Sequence, residues 1–269
     1  MKRLIFSLLY EDGNFVLSRN FQRQRVGNIK WIFDNYNLES VSLGLDELVI
    51  IDVSIKKKQT EFLNVIKKIS EKIFIPITVG GGIYSLKDVE KYLESGADKI
   101  LLNNLFFKNK NLFEKISKLF GKQFIVACID YKKINNQYYV FRDEAKKICN
   151  EITLFDQIQN LYSSGAGEIL LQSIDLDGTG MGMDKNIINI VEKFKISSPI
   201  ILKGGIGKPD HILDIMKNKD IEAVCTANLF NFIGDTFVLT RNLLVDNEIN
   251  VANWKINEMK LLKNKFKIK

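Results

Sequence analysis

Apolar positions along this chain fall into two alternating rhythms. Short runs dense in Ile, Val and Leu, bounded by Gly, Pro, Asn or Asp, read as buried strands at about residues 4–9, 47–53, 76–79, 99–103, 123–130, 199–203 and 222–227, with one more opening at 167. Between them the apolar residues recur at helical spacing, which predicts helices over about 28–43, 58–72, 85–95, 111–120, 154–164, 185–194, 209–217 and 236–245. Ser85 is placed to cap one of these helices and Gly96 to end it. Residues 10–27 begin with the turn Glu11-Asp12-Gly13-Asn14, carry Arg19, Gln22, Arg23 and Arg25, and read as a loop. Strands and helices in strict alternation predict one α/β domain over 1–269, a closed (β/α)8 TIM barrel rather than an open sheet.

The stretch from Gly167 to Gly180 organises the chain's chemistry. It is a buried strand running into a loop with Asp175, Asp177, Gly178, Thr179 and Gly180. Such a strand end presents carboxylates and bare backbone N–H groups to one small volume. Asp177 could orient a ligand or a water there, or cap its own loop. Asp52, ending the second strand, is open to the same two readings, function or a structural hydrogen bond.

The two halves of the chain also resemble each other. Residues 5–9 lie over 126–130, 46–49 over 167–170, Pro76-Ile77 with Gly81-Gly82-Ile83 over Pro199-Ile200 with Gly204-Gly205-Ile206, and Asn104-Leu105-Phe106 over Asn228-Leu229-Phe230. A near-constant offset of about 121–124 residues predicts duplicated half-barrels over about 1–121 and 122–246, followed by a tail, 247–269. Each half then has a glycine turn beside a small polar residue at the next strand end. Backbone N–H groups can converge there on an anion, so the pair suits a ligand with two phosphates.

Composition narrows the class. Lys and Arg (39) exceed Asp and Glu (32), giving +7, but the charges are mixed along helix faces and no nucleic-acid motif accompanies them. Cys128, Cys149 and Cys225 have no metal-ligand spacing and read as reduced core residues. No signal peptide or membrane-spanning run is visible, which predicts a cytoplasmic protein. No metal or cofactor is expected. His211, the one histidine, reads as a surface residue, and Trp31 and Trp254 as fillers of helix-barrel gaps.

Several motifs together resemble the HisF family, the cyclase subunits of imidazole glycerol phosphate synthase. They are Asp46-Glu47-Leu48-Val49, Ile75 to Ile83, Gly96-Ala97-Asp98-Lys99, Val126 to Asp130, Gly165 to Leu171, Ser173 to Thr179 and Gly204 to Lys208, spread over nearly the whole chain. The resemblance implies a (β/α)8 barrel paired with a HisH-type glutaminase. Ammonia would enter at the N-terminal face, cross the core, and react at the C-terminal face with a ribonucleotide carrying two phosphates. It implies phosphate binding at Gly82, Asn103 and Asn104 in the first half, and at Gly178, Gly205, Ala227 and Asn228 in the second. Lys203 stands where a small residue is expected and would add charge to the second corner. The family's ring of charges at the ammonia gate is matched by Arg3, Glu47, Lys99 and Glu168, and its partner contact by Asp98.

Of the family's acid/base aspartates, Asp130 is matched, and Asp177 is the further catalytic candidate. Position 9, where the other aspartate of the pair belongs, is Leu9, and the internal repeat independently sets Leu9 opposite Asp130. The lysine of the first loop aligns with Leu17; the nearby Arg19 guanidinium stays protonated and moves protons poorly. The reading adopted is therefore a HisF-like subunit that supplies ammonia for acetamidino modification of a nucleotide sugar, alongside a glutaminase and a sugar amidotransferase. A working histidine-pathway cyclase and a non-catalytic phosphate-binding barrel remain as alternatives.

Overall fold

A computed structural model describes residues 1–36, 38–143, 146–194, 198–227 and 236–252. Its strands are β1 (Arg3–Glu11), β2 (Asn14–Arg19), β3 (Gln22–Gly27), β4 (Glu47–Asp52), β5 (Ile77–Gly80), β6 (Lys99–Leu102), β7 (Ile125–Ile134), β8 (Gln137–Arg142), β9 (Lys147–Thr153), β10 (Glu168–Ser173), β11 (Ile200–Lys203) and β12 (Ile221–Thr226). Eight of them, β1, β4, β5, β6, β7, β10, β11 and β12, pair in parallel and close into a ring through β12 with β1 and β7 with β10. The helices are α1 (Ile29–Tyr36), α2 (Leu38–Ser42), α3 (Gln59–Ser70), α4 (Leu86–Glu94), α5 (Leu105–Lys108), α6 (Lys110–Phe120), α7 (Leu154–Ser163), α8 (Lys185–Phe194), α9 (Pro209–Met216) and α10 (Thr236–Asp246). This is the (β/α)8 barrel that the alternating rhythms predict. Ser85 does cap α4, its side chain accepting from the Asp88 N–H.

The structure corrects two readings. Residues 10–27 are not a loop: β1 runs on to Glu11 and pairs with β2, and β2 pairs with β3. The second correction concerns residues 131–153, where β7 continues into an antiparallel extension with β8 and β9 that the apolar rhythm does not reveal. The turns Asp12-Gly13, Asn20-Phe21 and Asn135-Asn136 all have positive φ at both residues, the backbone that two-residue hairpins require. Both extensions follow the first strand of a predicted half.

Alternation along the strands divides the apolar core in two. Leu4, Phe6 and Leu8 of β1 face the helices, in the larger compartment. Ile5 faces inward and joins Val49, Leu101, Val126, Leu170 and Ile201 in a separate layer that fills the barrel's interior. At the N-terminal end α10 is fastened by Arg241, which is 3% exposed. Its guanidinium donates to the Gly44 carbonyl (3.1 and 2.9 Å), the Ala252 carbonyl (2.6 Å) and Asp46 Oδ2 (2.8 Å). Trp31 packs on Gly27 and against Tyr36 but remains 37% exposed, so it covers the hairpin base rather than filling a gap. Trp254 and the basic tail lie outside the described residues.

Candidate active site and the opposite face

The C-terminal strand ends enclose a cavity of about 580 Å³. Asp130, Asp177, Gly82, Asn103 and Asn104 all line it, together with Leu9, Asp52, Gln172 and Lys203, so the predicted catalytic residues and the first phosphate corner do share one volume. Asp130 is 6% exposed. Asn103 Nδ2 donates to its Oδ2 at 2.9 Å, and the Cys128 thiol lies 3.8 Å from Oδ1. Burial pushes the Asp130 carboxyl up to about 6, against the pull of the Asn103 hydrogen bond and the Lys203 charge. A carboxyl so tuned exchanges protons near neutral pH. Leu9 faces the same cavity as Asp130 but supplies only hydrocarbon.

The raised value has a measurable consequence. Between the ordinary carboxylate range and about 6 the folded chain binds a proton at Asp130 that the unfolded chain has released, so this group lowers stability as pH rises through that window. Asp130→Asn removes the loss. Its stability relative to wild type is expected to grow from pH 4 to pH 7 by on the order of 2–3 kcal/mol, read from denaturation midpoints at each pH. An offset independent of pH would contradict the assignment.

Asp177 is engaged more fully than its sequence position suggests. Ser18 Oγ and the Phe21 N–H, at the tip of the β2–β3 hairpin, donate to its Oδ2 at 2.5 and 3.1 Å, and Gln172 Nε2 to its Oδ1 at 3.3 Å. Asn20 adds a backbone bond to the Asp177 carbonyl (2.9 Å) and a side-chain bond to the Asp175 carbonyl (2.7 Å). Gly178 lets the tip approach, since a Cβ there would overlap the Ser18 carbonyl oxygen. Of the two readings of Asp177, this conformation shows anchoring, though of the hairpin rather than of its own loop. Ser18→Ala removes a charge-assisted bond, and hydrogen exchange at Asn20 and Phe21 is expected to speed up roughly tenfold or more. Unchanged protection there would argue against the latch.

The corners differ. In the first, Gly81 and Gly82 turn at the end of β5 beside Asn103. Asn104 Oδ1 is occupied by the Asp143 N–H of the β8–β9 turn at 2.9 Å. Arg23, Lys57, Lys108 and Lys146 also line this cavity and were not singled out from sequence. Lys57 and Lys146 follow strand ends, which was the available signal for them, whereas Arg23 lies within β3 and Lys108 ends α5. The second corner, with Gly178, Gly205 and Ala227, encloses only about 20 Å³. Asn228 lies outside the described residues. Lys203 lines this second corner as well as the large cavity, and its Nζ donates to Ser7 Oγ at 3.0 Å. Asp52 accepts from the Ser54 N–H (2.9 Å) and hydroxyl (2.6 Å), with Lys57 at 3.5 Å, which is the structural alternative stated for it.

At the opposite face Arg3, Glu47, Lys99 and Glu168 form a closed ring. Arg3 contacts Glu47 at 2.9 Å and Glu168 at 3.0 Å; Lys99 contacts the same acids at 3.0 and 3.1 Å. Burial would raise the Glu168 carboxyl, but Arg3 and Lys99 outweigh it and hold it below its ordinary value. The apolar layer led by Ile5 lies immediately above. Asp98 is exposed beside Lys99, with one oxygen accepting from the Ile77 N–H at 2.8 Å. Cys128 and Cys225 are buried and Cys149 half-buried, all as free thiols. His211 is half-buried, its Nδ1 accepting from the Gly207 N–H at 3.3 Å. Among the described residues no His, Cys, Asp and Glu cluster could hold a metal, and no helix is long and apolar enough to cross a membrane.

Comparison with known proteins agrees with this arrangement. Residues 3–235 match the histidine biosynthesis protein family. A putative imidazole glycerol phosphate synthase subunit hisF2 of Parasynechococcus marenigrum is 40% identical over 257 residues, 95% of each chain. The HisF subunits of Sulfolobus acidocaldarius (41% identical, 86% of this chain and 90% of the relative) and Bacillus cereus (33%, 93% and 98%) are similar over most of their length. With its barrel, its charged ring and its mouth cavity, the chain belongs to the HisF family of the imidazole glycerol phosphate synthase cyclase subunits.

Proposed function

We propose that this chain is the barrel subunit of a glutamine-dependent complex. It takes ammonia from a HisH-type glutaminase at the Arg3, Glu47, Lys99 and Glu168 face, with Asp98 as a partner contact, and releases it at the C-terminal mouth. The four-charge ring excludes ions from a dry interior while a neutral molecule needs only a small rearrangement to pass. At the mouth the first corner, Gly82 and Asn103 with the neighbouring lysines, suits a phosphorylated ligand, and Gly178, Gly205, Ala227 and Asn228 would face its other end.

One observation carries the choice of final acceptor: Leu9 stands across the cavity from Asp130, so the acid/base pair is half present while the gate is complete. Acid/base groups typically contribute about 10²–10⁴-fold each, so the histidine-pathway cyclisation would be crippled without loss of the ammonia route. The ammonia then serves a second enzyme, a sugar amidotransferase that installs acetamidino groups on a nucleotide sugar for surface glycan. A working histidine-pathway cyclase is the second reading, favoured by the Asp130 carboxyl at about 6.

The test is a steady-state assay of the purified chain with the histidine-pathway bis-phosphate ribonucleotide and saturating ammonium, beside glutaminase stimulation by the same chain. Negligible turnover with stimulation of a HisH-type partner is expected. Turnover at an ordinary enzyme rate would replace this reading with the cyclase.

A further inference from the structure

Among the described residues Lys203 is the one lysine that lines the mouth cavity from a barrel strand. It ends β11, is 5% exposed, and borders both the 580 Å³ cavity and the small second corner. Below it lies the apolar layer of Leu170, Ile201 and Val49, and beside it the hydrocarbon of Leu9. An ammonium has three N–H donors. Among the described residues Lys203 uses one, to the neutral hydroxyl of Ser7, and no carboxylate pairs with it within 4.0 Å. The two acids of the cavity floor are held elsewhere, Asp130 by Asn103 and Cys128, and Asp177 by Ser18, Phe21 and Gln172.

A buried ammonium hydrogen-bonded to a single neutral oxygen, with no carboxylate in contact, has donors left for an anion to complete its shell. Lys203 lines the 580 Å³ mouth cavity, which has room for that anion. The anion therefore reaches Lys203 from the large cavity. We propose that Lys203 is a ligand-binding residue whose ammonium takes an anionic oxygen, phosphoryl or carboxylate, at the floor of the mouth. An inner anion contact of the ligand is thus a side-chain cation set deep in the barrel, in the cavity that Asp130 also lines, in addition to the backbone of the glycine turns. A ligand that fits both groups carries a negative oxygen within a side chain's reach of a hydrogen-bond donor facing Asp130. The inference does not depend on where ammonia goes.

The test needs neither ammonia nor a partner, so its failure is separate from failure of the proposed function. The Lys203 Nζ resonance of the ¹⁵N-labelled full chain, assigned by its loss in Lys203→Met, is followed while inorganic phosphate is added, and in a second series acetate. The resonance is expected to shift and saturate with at least one anion. Lys203→Met should bind that anion roughly ten- to hundredfold more weakly by calorimetry, Lys203→Arg within a few-fold of wild type, and Lys185→Met, on exposed α8, the same as wild type. Response to phosphate alone assigns a phosphoryl oxygen, and response to acetate alone a carboxylate. A resonance unmoved by either anion, or equal affinity in Lys203→Met, overturns the proposal. If Lys203→Met fails to fold, Lys203→Arg supplies the assignment, and the wild-type series decides.

Discussion

Leu9→Asp is expected to raise ammonium-dependent cyclisation of the histidine-pathway bis-phosphate ribonucleotide by about 10²–10⁴-fold over the wild-type chain. Position 9 is on the interior face of β1, in register with Ile51 of β4, and lines the cavity that holds Asp130. A carboxylate there restores an acid/base pair across the mouth without touching the larger compartment, since Leu9 packs in neither apolar cluster. The Lys203 ammonium nearby favours its ionised form, while Asp130 at about 6 keeps the proton for longer, which separates the two roles. Adding Asp130→Asn to Leu9→Asp should remove the gain. A wild-type chain already as fast as Leu9→Asp would show that another group supplies the missing proton transfer.

Arg241→Met should cost roughly 3–5 kcal/mol in unfolding free energy, measured by chemical denaturation. The loss comes less from the broken ion pair than from what stays behind. Asp46 remains buried as an unpaired charge, and the Gly44 and Ala252 carbonyls lose donors that no water can replace. Asp46 also accepts from the Leu4 N–H at 2.7 Å, so the same side chain positions β1. Arg241→Lys should recover little, because a point charge cannot serve three oxygens spread across a planar fork. A cost below about 1 kcal/mol would mean that the segment around Ala252 rearranges to satisfy itself.

The barrel was legible because its strands are buried on both faces and so read as continuous apolar runs, and because Gly and Pro mark their ends. The hairpins were not. β3 reads Gln-Arg-Gln-Arg-Val-Gly and lies at a sheet edge, so no apolar alternation announces it. For β8 the signal was present: Asn135-Asn136 between Lys-Lys-Ile and Gln-Tyr-Tyr-Val-Phe is a two-residue hairpin turn. The charged ring was legible because each member opens a strand. For Lys203 the sequence pointed to the second corner but not to its reach into the large cavity, because spacing locates a Cα whereas four methylenes decide where the ammonium lies. The hairpin's hold on Asp177 joins residues 159 apart in sequence and leaves no local trace.

That separation bears on how the molecule is made. At roughly 5–20 residues per second on the ribosome, β2 and β3 emerge roughly 8–30 s before Asp177 exists to receive them. Through that interval the hairpin is a nascent ribbon with an open flank, the kind of template on which neighbouring chains associate. Arg25 on β3, and Lys147 and Glu151 on β9, set charges along both open flanks. Those charges guard the growing polypeptide against its own copies, so replacing Arg25 with valine would threaten yield in the cell before it touched the finished barrel.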